Sequence, residues 1–330
     1  MFRILVCAAL AALGAAALPA VAQQKLDLLL SWVPGGDHAP HFYAKKMGWY
    51  AQAGVDLNIE AGKGSAVAVQ RVGAGTSPVG ISDMGTALAL RGKGADVVGV
   101  YNIFANSAHG LYWLKSSGIK SVKDLAGKKI GNPPGDAART MWPALAKANG
   151  IDPNSVTWVN IDANGKLAAL KSKAVDATTQ FYNIHHIFER ELGADMGFLA
   201  WRDAGFNQYS NTIIVNADFL KKNPNLVGNF VKVTQRAFAA CVAAPKPCVD
   251  ALVEANGALK HDNEMTNWSL VEVLMRDQFA ETVALGYMDP QRMASDYELV
   301  KTYIGIEKPY DVRAAYSNEF LDRSIKMIRK

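Results

Sequence analysis

From Lys25 onward, short apolar runs alternate with segments whose apolar residues recur every three or four positions. This alternation predicts an α/β protein with mainly parallel sheets. Strands are expected at 25–31, 55–61, 79–82 and 95–103, with helices at 39–53, 66–73 and 86–91 between them. A second series begins near Ser121 with a short helix, a turn and a strand ending at Gly131. A loop at 132–135 and a helix at 136–149 follow, then strands at 156–160, 174–178 and 198–201 with a helix at 165–172. The run 211–215 reads as a strand leading away from this series, and the pattern from Ala217 onward is almost wholly helical.

A helical tail buries its apolar faces more readily against a sheet than alone, so the tail is expected to return onto the first series. Segments 110–115 and 211–215 are then the two crossings between lobes. Residues 23–115 with 216–330 form the expected first lobe, and residues 116–215 the second. Two crossings beside a cleft describe a protein that closes by a hinge.

The N-terminus reads as an address. Arg3 precedes an apolar stretch from Ile4 to Leu18, Pro19 breaks it, and Ala20-Val21-Ala22 supplies a small-x-small cleavage pattern. The stretch falls short of the roughly 20 residues needed to span hydrocarbon. Residues 1–22 are therefore expected to be a secretory signal peptide, and the mature chain to reside in the periplasm.

Composition narrows the classes further. The 330 residues are 50% hydrophobic and 20% charged, which excludes a disordered chain. With 35 basic and 30 acidic residues and no long basic run, nucleic acid is not an expected partner. Three cysteines are too few for a disulfide scaffold. In a secreted chain, Cys241 and Cys248 flank a proline-containing bend without nearby metal ligands, and a structural disulfide is expected between them. Closing so short a loop adds about 2.5 kcal/mol.

In open α/β sheets, ligands bind beyond the carboxyl ends of strands, at loops leading into helices. The first such loop holds Trp32, Asp37 and His38. Trp32 is suited to stack on a flat ligand while Asp37 or His38 bonds its edge; alternatively, Trp32 caps the core and Asp37 caps the next helix. The loop 62–65 brings Ser65 to a helix N-terminus, and the loop 82–86 adds Asp83 and Met84. In the second series, Gly135, Asp136 and Arg139 suit a carboxylate, sulfonate or phosphate, unless Arg139 pairs with Asp136 on the surface. Tyr182 and Asn183 follow a strand, and Tyr182 facing Trp32 across the cleft would complete an aromatic sandwich.

Catalytic constellations are scarce. There is no Gly-x-Ser-x-Gly elbow and no phosphate loop, and His38, His41, His185 and His186 lack an obvious third metal ligand. No cofactor, metal or catalytic residue is expected, and the chain is read as a non-enzyme.

Several phrases resemble a known family. They are Trp32-x-Pro34-x-x-x-His38, the run 42–57 from Phe42-Tyr43-Ala44 to Gly54-Val55-Asp56-Leu57, Gly80-Ile81-Ser82-Asp83, and the run 122–131 ending Gly127-Lys128-Lys129-Ile130-Gly131. They are similar to the substrate-binding proteins of ABC importers for thiamine pyrimidine precursors, sulfonates, taurine and nitrate. The resemblance covers about residues 25–216. It implies a type II periplasmic-binding fold, a small-molecule ligand, and an ABC permease in the inner membrane as partner; a monomer is the family expectation. Trp-x-Pro-x-x-x-His resembles the pyrimidine-precursor binders most, although Gly35-Gly36-Asp37 stands where their motif places Asn before the His. The related fungal pyrimidine synthases carry a Cys-rich signature absent here, which argues against that enzyme. The expected ligand is thus a pyrimidine or similar aromatic heterocycle. The alternatives are an alkanesulfonate, taurine or other small anion; a secreted enzyme acting on a pyrimidine-like ligand; and a binding protein that signals to a membrane receptor.

Overall fold

Two five-stranded sheets organise the chain. The computed structural model describes residues 23–328; the expected signal peptide, residues 1–22, lies outside the described residues. The strands are β1 (Gln24–Leu29), β2 (Val55–Glu60), β3 (Val79–Asp83), β4 (Val97–Asn102), β5 (His109–Leu114), β6 (Lys129–Gly131), β7 (Thr157–Val159), β8 (Ala177–Phe181), β9 (Met196–Ala200) and β10 (Asn211–Asn216). The first sheet runs β2-β1-β3-β10-β4 and the second β7-β6-β8-β5-β9.

Each sheet has one strand antiparallel to its neighbours, β10 in the first and β5 in the second. These are the two segments expected to carry the chain across. Each occupies the same place in the sheet it enters, fourth in the strand order. The connections leading into them, 103–108 and 201–210, run side by side: Ser210 N–H donates to the Phe104 carbonyl at 3.0 Å, and Ser107 N–H to Asn207 Oδ1 at 2.9 Å. At their junction Asp83 accepts from Ser210 Oγ at 3.0 Å and meets His109 Nε2 at 3.2 Å. One carboxyl at the end of β3 thus ties the start of both crossing strands.

The helical tail returns onto the first sheet, as the amphipathic pattern requires. The helix Pro224–Ala243 begins with proline at its first position, where no N–H is needed, and buries Val227, Phe230, Val231, Thr234, Phe238 and Cys241 on one stripe. Phe230 stacks on Tyr50 at 5.7 Å, and Tyr50 donates to or accepts from Thr234 Oγ1 at 2.8 Å. Cys241 and Cys248 form a disulfide joining this helix to the next, Pro245–Ala255. The helix Pro290–Tyr303 packs with the helices Met84–Arg91 and Ala137–Ala148, linking the other face of the first sheet to the second series.

Three boundaries differ from expectation. The helix at 39–53 is two pieces, Ala39–Lys46 and Trp49–Gln52, because Gly48 between them takes φ +69°. The strand expected at 174–178 begins at Ala177, since residues 172–176 form a turn through Lys173 at φ +59°. Helix ends at Tyr303, and 304–328 is irregular apart from the turn Val312–Ala315. Among the described residues, no helix is long and apolar enough to cross a membrane.

Candidate functional site

A cavity of about 290 Å³ lies between the two sheets. The loop after β1 contributes Trp32, Pro34, Gly35 and Asp37, and the N-terminus of the helix Ser65–Gly73 contributes Ser65. From the second sheet come Asp136, Lys166, Gln180, Phe181, Asn183 and Phe188. Asn211, at the start of β10, and Glu264 and Asn267, from the helix His261–Met275, complete the polar wall. Glu264 and Asn267 stand three apart and so share one helix face.

Among the described residues, Lys166 is the one cation on this lining, and it is buried. Its Nζ donates to Asp136 Oδ2 and, at 2.9 Å, to the Thr179 carbonyl, and lies 4.8 Å from the centroid of the Trp32 ring. Burial pulls the ammonium below the usual lysine range, opposed by the Asp136 charge. Asp136 also caps the helix Ala137–Ala148, accepting from Ala138 N–H at 2.8 Å. The cation is therefore already neutralised by a partner from its own side of the cavity.

The opposite wall is acidic. Burial pushes the Asp37 carboxyl up to about 7, against its hydrogen bond from Asn211 Nδ2 at 3.3 Å. Burial likewise raises Glu264 to about 7, helped by the Asp37 charge and opposed by Gly36 N–H and Asn267. Asn211 is 1% exposed, and its Oδ1 has no hydrogen-bond partner.

Contacts across the cavity hold the two sides together. Asn183 Nδ2 donates to Asn267 Oδ1 at 3.0 Å, and Ala66 N–H to the Gly135 carbonyl at 3.1 Å. Gly64 takes φ +116° beside that carbonyl, and a Cβ there would lie 2.2 Å from the Gly135 oxygen. Only glycine lets these two loops meet so closely.

Of the residues singled out in the sequence, Trp32, Asp37, Ser65, Asp136 and Asn183 come together on the cavity. The others do not line it. His38 is buried beside the cavity wall, its Nδ1 accepting Gly35 N–H at 3.2 Å, and burial lowers it to about 3. Asp83 belongs to the crossing junction and caps the helix Met84–Arg91 through Thr86 N–H; burial would raise it, but His109, Thr86 and Ser210 hold it below the usual carboxylate range. Met84 is core, and Gly135 packs on Lys63 and Val67. Arg139 does not pair with Asp136, because Lys166 does; it donates to Asn160 Oδ1 and lies over the Trp158 ring. Tyr182 does not face Trp32. The three-residue shift of β8 makes Phe181 the strand's last residue and the cavity-lining ring, while Tyr182 packs on His185 and Phe198 under the Arg202 guanidinium.

The sequence reading missed Lys166, Asn211, Glu264 and Asn267. Asn211 was legible as a polar residue opening an apolar strand. The tail helix gave no such signal, since Glu264 and Asn267 stand among other polar residues in His-Asp-Asn-Glu-Met-Thr-Asn.

Residues 36–248 match the family model described as NMT1/THI5 like. The chain belongs to the NMT1/THI5-like family. Within it, the chain is 25% identical over 306 residues to a 4-amino-5-hydroxymethyl-2-methylpyrimidine phosphate synthase of Legionella pneumophila, covering 91% of this chain and 93% of that protein. It is 26% identical to the riboflavin-binding protein RibY of Chloroflexus aurantiacus, covering 90% and 86%. The solved alkanesulfonate-binding protein SsuA from Xanthomonas axonopodis pv. citri superimposes with a TM-score of 0.67 at 16% identity, covering 92% of this chain and all of that one. That likeness shows a periplasmic-binding-protein fold, as the sequence resemblance implied. The expectation of a non-enzyme is corrected. This family holds proteins named as synthases that align over nine-tenths of the NMT1/THI5-like chain described here, so missing nucleophile and Cys-rich motifs do not exclude catalysis.

Proposed function

We propose that this protein captures a small, uncharged aromatic heterocycle of the pyrimidine class in the cavity between its sheets. The observation that carries this reading is the charge of the lining. Asp37, Asp136 and Glu264 face a single cation, Lys166, which Asp136 already neutralises. An anion such as a sulfonate entering there would meet acidic groups without a free cation to receive it. A flat heterocycle instead finds the Trp32 indole, the Phe181 and Phe188 rings, and amides that bond ring edges. The pyrimidine in the name of the Legionella relative supports the same ring class.

The two lobes, residues 23–115 with 216–330 and residues 116–215, close on the ligand, and the closed form is the one a partner recognises. The fold supports delivery from the periplasm to an ABC permease by a monomer. Thermal-shift screening of the mature chain, refolded to strip bound ligand, tests the reading against pyrimidines, flavins, taurine, alkanesulfonates and nitrate. Ligand at 100 times its Kd stabilises by about 2.7 kcal/mol. Stabilisation by pyrimidines is expected; stabilisation by sulfonates alone overturns the reading. Mass analysis of the recovered pyrimidine reports any chemistry that follows capture.

A further inference from the structure

One wall of the cavity carries an arrangement that stacking alone does not require. Asp37 and Glu264 come from distant parts of the chain to one place: a methyl group on Gly35 would lie 3.5 Å from Asp37 Oδ1 and 3.7 Å from Glu264 Oε2. Both residues line the cavity, and they are only 6% and 7% exposed. Donors to them are few. Asp37 accepts from Asn211 Nδ2 and a backbone N–H of its own segment. His38 Nδ1 stands 3.2 Å from Asp37 Oδ1, but its lone pair receives Gly35 N–H, so that nitrogen brings the carboxyl no donor. Glu264 accepts from Asn267 Nδ2 at 3.3 Å and from Gly36 N–H. The other charged groups lining the cavity, Lys166 and Asp136, are joined to each other. Two buried carboxyls sharing one site without a cation do not both ionise near neutral pH; the pair retains a proton.

Resting on the heterocycle reading above, we propose that Asp37 and Glu264 act together as a proton-sharing reader of an amino-azine edge, an exocyclic amine beside a ring nitrogen. A carboxylic acid matches that edge atom for atom: its O–H donates to the ring nitrogen, and its carbonyl oxygen accepts from the amine. The second carboxyl and the unpartnered Asn211 Oδ1 supply acceptors for the amine's other hydrogen. A pair of carboxylates lacks the donor and opposes the ring nitrogen's lone pair. The bound complex therefore holds one proton that the free protein loses as pH rises through neutrality.

Calorimetric titration of the wild-type mature chain with 4-amino-2-methylpyrimidine from pH 7 to 9 tests the proposal. Affinity is expected to fall about tenfold per pH unit once the free pair is deprotonated. The double variant Asp37→Asn, Glu264→Gln keeps an amide donor and acceptor at each position and is expected to bind with a flat profile. With 2,4-dimethylpyrimidine, which lacks the amine, wild-type affinity is expected to be at least tenfold weaker. A wild-type profile that is flat over this range, or a double variant with the wild-type slope, overturns the proton-sharing pair and leaves heterocycle capture standing. Absence of binding by either pyrimidine at any pH overturns both.

Discussion

Lys166 Nζ lies 4.8 Å from the centroid of the Trp32 ring, so the second sheet's buried cation rests on the first sheet's aromatic wall. Its charge is held by Asp136 from its own side. Removing the ammonium leaves Asp136 buried and unpaired, a loss of about 3–5 kcal/mol. Lys166→Met is expected to lower the urea midpoint accordingly, and a midpoint within error of wild type would contradict the pairing.

Trp32 and Tyr182 are both aromatic and both follow strands, yet only Trp32 lines the cavity. Trp32→Ala is expected to weaken pyrimidine binding at least tenfold. Tyr182→Ala, which removes a ring packed on Phe198 beneath Arg202, is expected to leave affinity within about twofold. Equal losses from the two substitutions, read by calorimetry, would restore the aromatic sandwich.

The loops of the two sheets meet where Gly64 approaches Gly135, and closure on the ligand as proposed above requires that approach. A side chain at Gly64 meets the Gly135 oxygen at 2.2 Å and must also adopt φ +116°. Gly64→Ala is expected to hold the cleft open, with a larger radius of gyration by small-angle scattering and at least tenfold weaker binding. Asn183→Ala removes the 3.0 Å bond to Asn267 and is expected to act in the same direction more mildly. Wild-type scattering from Gly64→Ala would show that this contact does not govern closure.

The raised Asp37 carboxyl makes a signed prediction for stability. Folded Asp37 titrates near 7 and unfolded Asp near 3.9, so between these values the folded state binds more protons. Stability from this residue is therefore greatest below about pH 4 and declines as pH rises to about 7, by a few kcal/mol at most. His38 and His41, lowered to about 3 by burial, slope the other way, losing stability as pH falls below about 6.5. The difference between wild type and Asp37→Asn reports this carboxyl together with its coupling to Glu264. Denaturation at pH 4.5, 6 and 7.5 is expected to show wild type losing ground to the variant, and a constant difference would contradict the buried, weakly partnered carboxyl.

Much of the fold was legible because local signals agreed with tertiary demand. The apolar runs that became β1 to β4 and the long stripe from Val227 to Cys241 each have one good structural outcome. The site was legible on its loops, where Trp32, Asp37 and Ser65 sit at strand-to-helix junctions. It was illegible where chemistry depends on packing. Nothing in the run around Lys166 marks that lysine as buried, and Glu264 becomes a cavity residue only when the tail helix folds back beside Gly36. A shift of three residues in β8 exchanged Tyr182 for Phe181, because a turn at 172–176 delays the strand.

The central claim is that the cavity's acidic, internally neutralised lining takes an uncharged heterocycle and refuses an anion. Calorimetric titration of the stripped mature chain at pH 7 with 4-amino-5-hydroxymethyl-2-methylpyrimidine and with ethanesulfonate tests it most directly. The account predicts saturable one-site binding of the pyrimidine and none of ethanesulfonate at tenfold higher concentration. Saturable binding of ethanesulfonate, with the pyrimidine inert, would contradict it.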